Sequence, residues 1–129
     1  MKIAVSAMGT DLNAQVDPRF GRCRNFIVVD PDTMKFEVVE NSSTVSGGGA
    51  GVATGQLLTG KGVSDVLTGN CGPNAFNVLQ AAGIKVVTGV AGTIQDVVGG
   101  YKSGRYQAIS HANVASHSGM GRGGGMGRR

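Results

Sequence analysis

Tryptophan is absent from this chain of 129 residues, and aromatic residues make up only 5% of it. A base-stacking surface of the kind single-stranded nucleic acids use is therefore not expected. Cysteine is scarce too: Cys23 and Cys71 are too few for a disulfide framework. No apolar run is long enough to span a membrane, and Met1 leads straight into a short strand-like segment rather than a signal peptide. The expected compartment is a reducing cytoplasm, which leaves both thiols free for chemistry or for packing. Both histidines, His111 and His117, lie near the C-terminus, so the rest of the chain offers no imidazole ligand. The eight acids fall mostly on predicted surfaces and turns, with Asp11, Asp17 and Asp65 nearest strand ends, so two-metal nuclease chemistry is not expected. With no nucleophile–base or acid–base pair visible either, the chain reads as a non-enzyme.

What is abundant is glycine, with 23 residues that cluster at predicted turns and near the C-terminus. The formal charge of +4 is uneven. Arg122, Arg128 and Arg129 carry three of the twelve basic charges, leaving nine against eight acidic ones, or +1, in the rest. A pI near 9.4 thus reports the C-terminal segment more than a nucleic-acid-binding face. From His111 onward the chain is mostly Gly, Ser, Met, His and Arg without periodicity. One domain over residues 1–110 and a disordered tail over 111–129 are expected.

Lys2-Ile3-Ala4-Val5-Ser6 reads as a buried first strand, and a long connection from Asp11 to Arg24 follows. It holds three arginines, Arg19, Arg22 and Arg24, around Cys23; a loop of this length in a compact domain is more often functional than idle. Residues 25–30 and 35–40 predict an antiparallel hairpin, its second strand an edge with one wet face. The glycine-rich run Ser46-Gly47-Gly48-Gly49-Ala50-Gly51 leads into a helix ending at Gly60 or Gly62, and Val63 to Leu67 forms a fourth strand. Ala75, Phe76, Val78, Leu79 and Ala82 mark the apolar face of a second helix stopped by Gly83. Residues 84–88 give the fifth strand, and Thr93 caps a last helix carrying Ile94, Val97, Val98 and Tyr101. Right-handed crossovers then predict a three-layer α/β/α sandwich, ribonuclease-H-like, with a five-stranded mixed sheet in order 3-2-1-4-5 and strand 2 antiparallel.

Between the fourth strand and the second helix lies Gly69-Asn70-Cys71-Gly72-Pro73-Asn74-Ala75. Pro73 suits the first helical position and Gly72 the cap. A helix beginning here directs its free N–H groups and positive dipole end over the turn, which predicts a lowered pKa for Cys71 and a thiolate for a soft metal or an iron–sulfur cluster. The competing reading is a small buried residue filling a turn. Cys23 among its arginines invites the same two readings. Standing 48 positions apart, the cysteines lack the close spacing of four-cysteine sites, so a cluster needs further ligands or its own bridging sulfides. The Ser46–Gly51 run suits an anion or the face of a cluster. Its glycines at 49, 51 and 55 do not match the dinucleotide fingerprint.

Taken in order, Phe20-Gly21-Arg22, Ser46 to Gly51, Gly69 to Ala75 and Ala82-Gly83-Ile84 resemble the dinitrogenase iron-molybdenum cofactor biosynthesis domain family, over nearly all of residues 1–106. The resemblance implies the same sandwich and a role in holding or passing iron–sulfur precursors of the nitrogenase cofactor. Our expectation is a cytoplasmic carrier or chaperone for an iron–sulfur cluster or iron-molybdenum cofactor precursor, exchanging with cluster donor and acceptor proteins. In it Gly47, Gly48, Gly49, Gly51, Gly69, Asn70 and Gly72 supply N–H groups. Cys71 and Cys23 ligate metal, and Arg22 offsets the cluster's charge. The alternative is a metal-free regulatory or interaction module that binds a partner protein or a small anion.

Overall fold

The computed structural model describes residues 1–41 and 50–108. Five strands and three helices follow in the order β1 (Ile3–Ala7), β2 (Asn25–Val29), β3 (Phe36–Glu40), α1 (Ala50–Gly60), β4 (Asp65–Leu67), α2 (Pro73–Ala81), β5 (Lys85–Val87) and α3 (Ile94–Lys102), with one 3-10 turn at Phe20–Arg22. The sheet runs β3-β2-β1-β4-β5. Val5 pairs antiparallel with Ile27, which pairs antiparallel with Val38; Val5 also pairs parallel with Leu67, and Leu67 with Val87. The expected sandwich, strand order and antiparallel second strand are all present.

Alternation along the strands sorts the core into two layers. Ala4, Phe26, Val28, Val66 and Val86 face one side and pack with Leu58 of α1 and Ala75, Phe76 and Leu79 of α2. Ile3, Val5, Ile27, Val29, Leu67 and Val87 face the other and pack with Ile94, Val97 and Val98 of α3. β1 lies in the middle, and all five of its residues are fully buried.

Local signals set the helix ends. Pro73 opens α2 behind the Gly72 cap. Gly83, at φ +79°, closes it with Gly83 N–H on Gln80 O and Ile84 N–H on Leu79 O, both at 2.9 Å, a Schellman pattern. Thr93 Oγ1 accepts the Asp96 N–H at 3.2 Å and caps α3. Two expectations change. β4 is shorter than residues 63–67: Val63 and Ser64 precede the paired strand, with Val63 buried in the core. β3 has one wet face as expected, but it is the face of Phe36 and Val38 that stays exposed, while Val39 on the other is buried in the α1- and α2-side core. The 111–129 segment and Gly47, Gly48 and Gly49 lie outside the described residues.

Candidate functional site

The long connection after β1 forms a tightly laced layer over one end of the sheet. Met8 N–H donates to Gln15 O at 2.9 Å, Val16 N–H to Gly92 O at 2.9 Å and Asp17 N–H to Ser6 O at 2.8 Å, while Ile94 N–H returns to Ala14 O at 2.9 Å. Below it, buried Ser6 donates its hydroxyl to Asp17 O at 2.6 Å and lies 2.8 Å from the Thr68 hydroxyl, tying β1 to the end of β4. The layer then runs along the β4–α2 turn. Asn70 N–H donates to Pro18 O at 2.8 Å and Phe20 N–H to Asn70 O at 3.3 Å. Gly69 is there because a Cβ would lie 2.7 Å from Pro18 Cα and 3.0 Å from Pro18 O. The Cys71 turn, the Met8 region and the Arg22–Cys23 segment therefore share one end of the sheet.

The surroundings of the two cysteines differ from the expected ones. Cys71 is 1% exposed and packs in the same buried cluster as Phe20, Cys23 and Phe76. Burial pushes its thiol up to about 11, the reverse of the lowering expected from the helix start. Losing water costs a thiolate more than the first turn of a nine-residue helix returns. Cys23 is fully buried. Its Sγ donates to Phe20 O at 3.2 Å, and burial, reinforced by the charge of Asp17, pushes it up to about 12. Burial therefore outweighs the neighbouring arginines, and the Cys23 thiol keeps its proton. Asn70 spends its N–H on Pro18, and Gly51 falls in the first turn of α1. Among the described residues no group of three or more His, Cys, Asp or Glu is placed to hold a metal ion.

What the fold does assemble is an arginine basin of about 370 Å³, lined by Met8, Asp17, Arg19, Arg22 and Arg24. Asp17, 3% exposed, accepts Arg19 Nε at 3.2 Å, Arg19 Nη2 at 3.3 Å and the Arg19 N–H at 2.9 Å. The carboxylate holds the Arg19 guanidinium pKa up and fixes its direction. Arg22 and Arg24 are exposed, and among the described residues neither makes an ion pair. Three guanidinium groups thus face one carboxylate, in a body whose charges nearly cancel.

The arginine segment is clamped from behind by Asn41, 2% exposed just past β3. Its Nδ2 donates to Cys23 O at 2.9 Å and to Gly21 O at 3.4 Å, its N–H to Arg24 O at 2.9 Å, and Thr54 of α1 donates its hydroxyl to Asn41 Oδ1 at 3.1 Å. Sequence reasoning passed over Asn41, since a lone asparagine after a strand looks like an ordinary turn residue. Arg19 and Arg24 were visible with Arg22 as the arginines around Cys23, expected to stabilise a thiolate or an anionic cluster there; Met8, ahead of that loop, was given no role. Size does not choose this basin: a hollow of about 610 Å³ runs along α3, but Asp96 and Arg105 there are of opposite charge.

The comparisons with known proteins agree with this architecture. The family model described as dinitrogenase iron-molybdenum cofactor matches residues 1–104. The orange protein of Desulfovibrio gigas, solved in its apo form, is 42% identical and superposes with a TM-score of 0.85, covering 87% of this chain and 95% of that one. A putative NifB protein from Thermotoga is 36% identical with a TM-score of 0.73, covering 83% and 91%. An uncharacterised protein of Methanocaldococcus jannaschii is 26% identical over 98 residues, 74% of this chain and 83% of the relative. Among the described residues no helix is long and apolar enough to cross a membrane. With a family match over four-fifths of its length and two solved relatives above 30% identity, this chain belongs to the dinitrogenase iron-molybdenum cofactor family.

Proposed function

We propose that the chain is a carrier for an anionic metal–sulfur cluster or cofactor precursor, and that it holds this cargo in the arginine basin by charge rather than by cysteine ligation. The observation that carries the reading is the pair Arg22 and Arg24, exposed at the rim with no ion pair among the described residues, beside an Arg19 already oriented by Asp17. Membership of a family described as dinitrogenase iron-molybdenum cofactor supports this class of cargo. The thiols, buried and proton-bound, act as core. Cargo held by charge-assisted contacts is released without breaking metal–thiolate bonds, which suits transfer between donor and acceptor proteins and involves no turnover. The proposed compartment is the cytoplasm.

The test uses tetrathiomolybdate, a soluble molybdenum–sulfur dianion, titrated anaerobically into the full chain. Replacing both Arg22 and Arg24 by alanine weakens binding by roughly a hundredfold, about tenfold for each charge-assisted contact. Cys23→Ala and Cys71→Ala leave it unchanged. Unaltered binding in the arginine variant, or loss of binding in a folded Cys71→Ala protein, would sink the reading. A second reading, the metal-free module for a partner or small anion, is favoured by one observation: both thiols are buried, as a protein with no use for reactive cysteine requires. Metal and sulfide analysis of anaerobically purified protein separates the two.

A further inference from the structure

Among the described residues, Met8 is the one apolar side chain in a basin otherwise made of charges. It is the first residue beyond β1; its N–H is fixed on Gln15 O at 2.9 Å, and the bridge from Ala7 to Val16 holds the backbone just before it. Its side chain nevertheless stays 61% exposed, more open than Phe36 or Val38 on the edge strand. A single exposed methionine is ordinary on a protein surface. This one stands at the same hollow as Arg19, Arg22 and Arg24, where a thioether contributes nothing to the grip on a hard oxyanion, whose oxygens take N–H donors and water. A sulfur-rich metal anion is larger and more polarizable and holds its water less tightly. It gains contact energy against a soft thioether that an oxyanion of equal charge does not.

We propose that Met8 is the specificity-determining residue of the arginine basin, selecting metal–sulfur anions over oxyanions of the same charge. The inference rests on the carrier reading and assigns the class of cargo within it. The arginines supply attraction for any anion, and Met8 supplies the difference between two anions of one charge.

The experiment titrates tetrathiomolybdate and molybdate, equal in charge, into the full-length protein and into Met8→Gln, which keeps the side-chain length and removes the thioether. The unmodified protein is expected to prefer tetrathiomolybdate. Met8→Gln is expected to bind molybdate unchanged and to lose roughly fivefold of that preference, the scale of one soft sulfur contact. An unchanged preference in Met8→Gln overturns the inference and leaves the arginine site standing, as does equal binding of both anions by the unmodified protein. Failure of the unmodified protein to bind either anion overturns the carrier reading, and this inference with it.

Discussion

Cys23 is sealed in the core while Arg22, the last residue of the 3-10 turn, and Arg24 stand in solvent on either side of it, the chain leaving the turn through an extended Cys23 (φ −70°, ψ 151°). The same three residues therefore build a rim and anchor it. Burial has a measurable consequence at this scale. Cys71 rises to about 11 and Cys23 to about 12, both from 9.0, so the folded form keeps its thiol protons after the unfolded chain has lost them. The stabilisation is complete below about pH 9 and is lost as pH rises through the folded values. Tyr101, raised to about 12 by burial and by its hydrogen bond to the Asp65 carboxylate, acts in the same direction above about pH 10. We expect the denaturant midpoint to fall between about pH 8 and pH 10.5, and the fall to be shallower in Cys23→Ala/Cys71→Ala. An identical slope in that variant would show that the thiols are not what loses protons on unfolding.

Among the elements, the docking of the long connection onto the β4–α2 turn decides where the arginines stand. That contact is backbone against backbone, with Pro18, Phe20 and Asn70 exchanging hydrogen bonds, and it leaves no room for a side chain at Gly69. Gly69→Ala forces backbone apart at Pro18 and is expected to cost about 2 kcal/mol in urea unfolding, the usual scale of overpacking. Faster amide exchange over residues 17–24 should accompany it. A variant as stable as the parent would mean the approach relaxes at no cost. The expected role of Gly69, an N–H offered to cargo, is separate from this steric one, which only the position of Pro18, far off in sequence, reveals. The helix ends were legible for the opposite reason, since Pro73, Gly83 and Thr93 act within a few residues of themselves.

At the level of the whole molecule, charge is concentrated rather than plentiful. The body is close to neutral, yet three guanidinium groups share one basin with a single carboxylate. Tetrathiomolybdate affinity is therefore expected to fall steeply with added salt, by about tenfold toward 0.5 M, where screening shortens to a few ångströms. Deleting 111–129 removes three arginines and is expected to change that affinity little. Loss of binding on truncation would move the relevant charge into the C-terminal segment. The sheet order, the antiparallel hairpin, the parallel crossovers and the two-layered core were readable from the residues alone, because each follows from alternation, helical spacing, turn chemistry or the handedness of connections, all of which act locally. The arginine cluster was visible in outline for the same reason. Which way Cys71 and Cys23 point, why Gly69 must be glycine, that Asn41 clamps Gly21 and Cys23, and that Met8 stands beside the arginines were decided only by tertiary structure. Each depends on atoms that meet across long stretches of chain, where burial outweighs the field of a helix end and no pattern of neighbours records the meeting.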